Sequence, residues 1–247
     1  MNSNSTQGGV EISVVVPVFN ESPNLEPLMV ELEQALRSLN RPYEVICVDD
    51  KSTDDSLTVL RNLRATRPWL RVARHRLNSG ESAAEATGFQ HAQGEVVITI
   101  DADQQNDPAD IPRLLAAMAP GTAAVCGVRR VREDDWVRRL SSRLANAFRN
   151  AVTGDRIADA GCTYRALRRD ALREVPVFNG MHRFLPTILR IQGCHVVEIL
   201  VNHRPRTRGQ SKYGVGNRLW RGLRDCMAMR WYRARRIVAD RVEAAGD

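Results

Sequence analysis

No apolar run in the 247 residues approaches the ~18–20 needed to cross a bilayer, so no membrane-spanning helix is expected. The first nine residues, Met1 to Gly9, are polar and lack the basic and apolar character of a secretory signal; they read as a disordered start to a cytosolic chain. The five cysteines (Cys47, Cys126, Cys162, Cys194 and Cys226) stand singly, without a Cys-x-x-Cys. That argues against a zinc knuckle or a disulfide framework and leaves reduced thiols in strands and helices as the expectation. Lysine is almost missing: Lys51 and Lys212 are the two, and every other basic residue is Arg, a bias typical of GC-rich coding rather than of function. There is no internal repeat and no flexible linker. No Gly-x-Gly-x-x-Gly or Walker loop follows the first strand, which counts against dinucleotide redox and P-loop chemistry.

What is present is unevenly charged. Residues 201–247 carry twelve Arg/Lys against four Asp/Glu, a net of +8, whereas the whole chain is +7. The basic character is thus C-terminal, and it suits a local anionic partner (phosphate, acidic lipid or nucleic acid) or simply a solvated basic helix. The length suits one α/β domain with a small extension.

Strand and helix patterns alternate. Strands are predicted at 11–19 (EISVVVPVF), 43–49, 70–74, 95–101 and 122–128, with helices at 24–39, 54–66, 80–93 and 110–118 between them. This order predicts a mostly parallel, Rossmann-like sheet with helices on both faces. The helix at 80–93 is rich in small residues and can pack close to a sheet. Beyond it the pattern is less regular: an Arg-rich helix at 134–152, a strand at 160–167, a short helix at 170–175, a helix at 181–192, a strand at 195–203, a Gly/Arg/Lys loop, and a long helix from about 216 to 237.

The most informative stretch is Ile98-Thr99-Ile100-Asp101-Ala102-Asp103-Gln104-Gln105. A buried parallel strand ends there in two carboxylates two residues apart, with an amide two further on. Hard oxygen ligands at the carboxyl end of a strand are what a divalent cation on a diphosphate needs. Alone, an Asp-x-Asp is equally a solvated turn. The first strand, however, ends at Pro17-Val18-Phe19-Asn20-Glu21 and the second at Val48-Asp49-Asp50-Lys51. Three strands therefore deliver carboxylates to the edge where open parallel sheets bind ligands, and a metal-bound nucleotide-sugar diphosphate fits that edge.

At this point the sequence resembles the polyprenol-phosphate glycosyltransferases, the inverting GT-A enzymes of the dolichyl- and undecaprenyl-phosphate type. The matching pieces are VVVPVFNE, VDDKSTDDS, NSGESAA, ITIDADQQNDP, GVR, SSRLAN, DAGCTYRALRR, HRFLP and RTRGQSKYG, in family order over residues 12–214. DADQQNDP and RGQSKYG are the most specific. The resemblance implies a GT-A catalytic domain at 10–214, with a nucleotide-sugar half at 10–129 and an acceptor half at 130–214. A basic amphipathic helix and tail at 215–247 would follow.

The resemblance also implies residue roles. Pro17, Phe19, Glu21 and Asp50 would hold the nucleobase and ribose. Asp101, Ala102 and Asp103 would lie against the donor, with Asp101, Asp103 and Gln105 around Mg²⁺ or Mn²⁺, a Lewis acid for the departing nucleoside diphosphate. Asp50 could otherwise cap the second helix, although Ser52, Thr53 and Asp54 are better placed. Arg129, Arg143, His182 and Arg183 would meet the acceptor phosphate. On a helical wheel Arg143 falls at the edge of the apolar face formed by Trp136, Leu140, Leu144, Ala147 and Phe148, where a guanidinium pairs with an anion or snorkels. His182 and Arg183 open a helix, a position suited to anions. Arg208 and Lys212, with Arg206, Ser211 and Tyr213, sit in what resembles the family's mobile loop over the diphosphate.

A phosphate acceptor is already ionised at neutral pH and needs no strong base, so catalysis would consist of alignment and charge stabilisation. A hydroxyl acceptor would need one, and Asp159 is the leading candidate. The Glu81 of NSGESAA, where similar proteins often carry Gln or Lys, leaves that alternative open. Many similar proteins continue into transmembrane helices. Here Leu219, Trp220, Leu223, Met227 and Trp231 share a helical face among arginines, which predicts peripheral attachment to an anionic inner leaflet. A core-packed helix with an exposed Arg face has the same composition. UDP is the preferred nucleotide and GDP the next. Undecaprenyl phosphate is preferred over dolichyl phosphate, and envelope-glycan or lipid A modification is the expected pathway. A nucleic-acid binder would explain the basic tail but not the ordered carboxylates, so no nucleic-acid partner is expected. The oligomeric state and the sugar are not encoded legibly.

Overall fold

The computed structural model describes residues 9–129, 146–205 and 216–237. Its strands are β1 (Ile12–Val18), β2 (Tyr43–Asp49), β3 (Leu70–Arg74), β4 (Val96–Thr99), β5 (Thr122–Arg129), β6 (Arg165–Arg168) and β7 (His195–Val201). The helices are α1 (Ser22–Arg37), α2 (Ser56–Thr66), α3 (Glu81–His91), α4 (Ile111–Ala116), α5 (helical over 146–153), α6 (Met181–Ile191) and α7 (Gly216–Arg235). One seven-stranded sheet runs β3-β2-β1-β4-β6-β5-β7. β6 is antiparallel to both neighbours, and every other pairing is parallel. The predicted mostly parallel α/β sheet is therefore present, with β6 as its exception.

The chain moves outward from β1 to β2 and β3, then returns to place β4 on the other side of β1. β1 and β4 thus flank the switch in strand order, and the crevice beyond their carboxyl ends is the natural ligand position. Both faces of the central strands are covered. In β1, Ile12, Val14, Val16 and Val18 join a core with α1 and α2, while Val15 joins a second core with Ile46, Val97 and the α6 residues Leu185 and Ile188. That two-sided burial explains the unbroken apolar run of the strand. In α1, Leu25, Leu28, Met29, Leu32 and Leu36 are buried at helical spacing. α3 lies close to the sheet because Gly88 has no side chain: a β-carbon there would collide with the Val15 methyls.

β6 is shorter and later than the predicted strand at 160–167. The Thr163 carbonyl takes the Thr99 hydroxyl (2.5 Å) and the Thr163 hydroxyl donates to Asp101 (2.7 Å), so the polar lead-in serves the strand-end loop instead of the ladder. β4 stops at Thr99, before the predicted end at 101. β7 stops at Val201, where Asn202 N–H donates to Asp110 (2.6 Å). Of the predicted helix at 134–152, residues 134–145 lie outside the described residues. α7 is docked on the protein: Cys226 and Met229 are buried in the second core, while Met227 and Trp231 are exposed.

Candidate active site

The carboxyl ends of β1, β2 and β4 each lead into a turn holding one non-glycine residue with positive φ: Asn20 (53°), Lys51 (61°) and Gln104 (59°). Left-handed backbone is disfavoured for such residues and persists where surrounding contacts impose it, commonly at functional sites. The contacts are specific. Asn20 Oδ1 accepts from Thr53 N–H (2.7 Å), and Ser52 Oγ accepts from Asn20 N–H (3.0 Å), locking the β1 and β2 turns together. Glu21 N–H donates to Ser56 Oγ (2.9 Å), and the Glu21 carboxylate accepts from Asn24 (2.7 Å). Pro17 and Phe19 are half-buried beside this turn.

Asp50 is buried and does not cap α2. Its carboxylate accepts from the N–H groups of Ser79 (2.8 Å) and Gly80 (2.7 Å) and from His75 Nδ1 (2.7 Å). It organises the loop that launches α3 into the crevice.

Asp101 and Asp103 follow β4, with Ala102 buried between them. Asp101 accepts from the Thr163 hydroxyl, and Asp103 Oδ1 accepts from Gln105 N–H (3.1 Å). Burial, then the negative charge of Asp103, pushes the Asp101 carboxyl up to about 6. Glu81, at the start of α3, is pushed up to about 7 by burial and next by Asp101. One turn on, Glu85 is pushed up to about 8 by burial, with Arg165 opposing. The Arg165 guanidinium is fully buried beneath them and donates to the carbonyls of His182 (2.7 Å) and Cys162 (2.8 Å). Four carboxyls thus crowd the head of the crevice.

Among the described residues, no three His, Cys, Asp or Glu side chains are grouped so as to hold a metal by themselves. The donor set fits a Mg²⁺- or Mn²⁺-type ion bound through one or two carboxylates, with substrate phosphates completing the shell. Asp101 and Asp103, two residues apart just beyond the end of β4, are the carboxylates that would hold such an ion. The Gln105 amide donates to the Arg204 carbonyl (3.4 Å), towards the segment after β7.

On the acceptor side, Arg129 at the end of β5 is forked onto Asp159 (Nε 2.7 Å, Nη2 2.8 Å). Gly161 permits this, since a β-carbon there would lie 2.8 Å from Arg129 Nη2. His182 is buried, its Nδ1 is hydrogen-bonded to Ser82 Oγ (2.7 Å), and burial together with Arg183 and Arg165 lowers it to about 3. It ties α3 to α6 through Ser82. The Ser82 hydroxyl also accepts from Gly180 N–H (3.0 Å), joining the N-termini of the two helices. Arg183 is exposed at this point, with Nε 3.2 Å from His182 Nε2. Arg143, Arg206, Arg208, Ser211, Lys212 and Tyr213 lie outside the described residues.

Sequence reasoning missed Glu85, Arg165, Ser82, Thr163 and His75. Glu85 alone left a signal, as a second acid four residues after Glu81 in a helix of small residues.

A model of glycosyl transferase family 2 matches residues 13–176. The chain belongs to that family. An undecaprenyl-phosphate 4-deoxy-4-formamido-L-arabinose transferase from Edwardsiella ictaluri is 39% identical over 206 residues, 83% of this chain and 63% of that protein. A protein of the same description from Aeromonas hydrophila is 36% identical over 95% of this chain and 73% of its own length. The family 2 chain thus spans less than two thirds of the Edwardsiella protein. Among solved structures, a glucosyl-3-phosphoglycerate synthase from Mycobacterium tuberculosis, in complex with Mn²⁺, UDP and phosphoglyceric acid, aligns with TM-score 0.66 at 21% identity, covering 93% of this chain and 80% of that one. A mannosyltransferase from Pyrobaculum calidifontis, with GDP-Man and Mn²⁺, aligns with TM-score 0.62 at 21% identity over 91% and 64%. At such identity these neighbours speak to the fold, which is GT-A.

Proposed function

We propose that this chain moves a sugar from a nucleotide sugar, UDP-linked by preference and GDP-linked next, to undecaprenyl phosphate at the cytoplasmic face of the membrane. The observation that carries the reading is the crowding of Asp101 and Asp103 at the strand switch point, with Asp101 pushed up to about 6. Asp101 and Asp103 would hold the divalent ion; Gln105 would join them only by turning its amide from Arg204. When bound, the ion supplies Lewis-acid stabilisation of the leaving diphosphate.

The residues of the chain do the rest by position. Pro17, Phe19, Glu21 and the Asp50-braced loop border the nucleoside. Arg183, at the exposed start of α6, meets the acceptor phosphate together with Arg143, while Arg208 and Lys212 contact the donor diphosphate; Arg129, forked onto Asp159, braces the acceptor side. An ionised phosphate oxygen attacks the anomeric carbon in line and inverts it. Support for a phosphate acceptor comes from the names of the relatives and from Asp159. The one carboxylate that sequence offered as a base for a hydroxyl acceptor has both oxygens engaged by Arg129. A role in envelope-glycan or lipid A modification suits the same relatives.

The catalytic domain would be residues 10–214, with 215–247 as a basic helical extension. Among the described residues no helix is long and apolar enough to cross a membrane. Peripheral attachment to an anionic leaflet is supported by exposed Met227 and Trp231, one turn apart on α7. The test is a screen of nucleotide sugars with undecaprenyl phosphate and Mn²⁺ or Mg²⁺, read by mass spectrometry of extracted lipid. A glycosylated prenyl phosphate is expected; product from hydroxyl acceptors alone would move the reading to a different acceptor class.

A further inference from the structure

At the far end of α6 from the catalytic edge lies an open cleft of about 590 Å³, between the turn after α5, the last turns of α6 and the end of α7. The α6 residues that line it, Thr187, Arg190 and Ile191, lie four to eight residues beyond Arg183, about 6–12 Å along the helix at ~1.5 Å per residue. Arg156, Arg190, Arg233 and Arg236 line it, with Asp155 as the one lining carboxylate.

The way these arginines are held matters more than their number. Asp155 is fully used: it accepts from the Thr187 hydroxyl (2.5 Å) and from Arg190 Nη1 (2.7 Å). Arg233 is fixed by carbonyls, donating through Nη1 to Thr153 (3.0 Å) and Gly154 (2.9 Å). Arg236 donates through Nη1 to the Ile191 carbonyl (2.6 Å). Carboxylates outside the lining reach them weakly, Glu174 at 3.7 Å from Arg236 and Glu198 at 3.6 Å from Arg190. Arg156 is exposed and has no side-chain partner among the described residues. A guanidinium anchored on a carbonyl keeps its full charge and its remaining N–H donors, in a fixed fork that suits phosphate oxygens.

The backbone is shaped to allow this. Gly154 has φ +66°, and a β-carbon there would collide with the Arg233 guanidinium. Arg149 is buried beside Thr187, to which its Nη2 donates (2.6 Å); its Nε and Nη1 have no hydrogen-bond partner, and its guanidinium lies 4.9 Å from the centre of the Phe184 ring.

We propose that this cleft is a second anion site that takes a phosphoryl group, distinct from the donor and acceptor positions and independent of the sugar-transfer reading. The group could arrive on a soluble phosphate compound or on a lipid headgroup; the chemistry recognised is the same.

The test titrates the full chain with inorganic pyrophosphate by calorimetry, in EDTA so that no divalent ion bridges to the aspartates. A saturable binding component that depends on Arg156 is expected. Arg156→Gln should weaken it about fivefold and Arg156→Gln with Arg236→Gln more than tenfold, while Arg183→Gln leaves it unchanged. Because Arg236 also ties α7 to α6, Arg156→Glu serves as the variant that removes no contact, and it should weaken binding at least as much as Arg156→Gln. Sedimentation with phosphatidylglycerol vesicles, against phosphatidylcholine vesicles, separates the sources. Vesicle binding that depends on Arg156 and is competed by pyrophosphate assigns a lipid headgroup. Arg156-dependent pyrophosphate binding with Arg156-independent vesicle binding assigns a soluble phosphate. No saturable binding in the wild-type chain overturns the proposal, as does binding that Arg183→Gln removes and the cleft variants leave intact.

Discussion

The two ends of α6 face opposite electrostatic problems. At its N-terminus, Glu81, Glu85, Asp101 and Asp103 crowd together, and two of the arginines nearby are already committed: Arg165 lies buried on carbonyls and Arg129 is forked onto Asp159. At its C-terminus the arginines outnumber the carboxylates, and three of the four are held without a close ion pair. As proposed, one end takes a cation and the other an anion. Counting charges over the chain hides this, since residues 1–200 are close to neutral while the acidic edge is strongly local. What decides a site is whether each charge has been spent on a fixed partner.

The largest effect should come from the acidic end. Asp103→Ala is expected to reduce transfer to undecaprenyl phosphate at least about 100-fold, the scale of losing one preorganised electrostatic contact in a reaction site. Mass spectrometry of lipid product at saturating donor checks it, and full activity in the variant would refute the metal assignment.

Next is the committed arginine. Asp159→Asn leaves the Arg129 guanidinium, 13% exposed, without its fork. A loss of about 3 kcal/mol in unfolding free energy is expected, as for breaking other largely buried pairs. Urea denaturation measures it, and a loss below about 1 kcal/mol would make the pair a surface-type contact.

Glu85 sharpens the comparison through pH. Its folded carboxyl is raised to about 8 by burial, from a starting value of 4.5. Between those values the folded chain holds a proton that the unfolded chain releases, so this group's contribution to stability falls as pH rises from about 4.5 to about 8. Glu85→Gln should remove that slope and stabilise the protein by about 1–3 kcal/mol at pH 8, with little change at pH 5. Thermal melts across this range test it; identical pH profiles for variant and parent would show that the carboxyl ionises in place.

The smallest change is on the basic flank. Gly154→Ala strains a φ of +66° and displaces Arg233. It should cost about 1–2 kcal/mol in melting experiments, without reducing turnover at the distant edge.

The apolar periods of β1, α1, β2 and β3 marked those elements to within two or three residues, because their burial depends on local spacing. The turn chemistry after β1, β2 and β4 was equally legible: the carboxylates follow directly on the strands that carry them. At residues 160–175 the sequence was a poorer guide, although α6, β7 and α7 again fell within about two residues of their expected bounds. The polar lead-in to β6 read as strand because nothing local shows that Thr163 leaves the ladder to bond Asp101, 62 positions earlier. The burial of His182 and its bond to Ser82, 100 positions away, were not legible because they are properties of packing.

The sequence by itself determined the strand–helix alternation, the family, and which residue types end each strand, since these follow from short-range pattern. Only the tertiary structure decided which charges are spent. It paired Arg129 with Asp159, left Asp101 and Asp103 crowded, buried His182 against Ser82, and set Arg233 and Arg236 on carbonyls. Whether a side chain is ionised and able to bind depends on its burial and its nearest partner, and both are supplied by segments far apart along the chain.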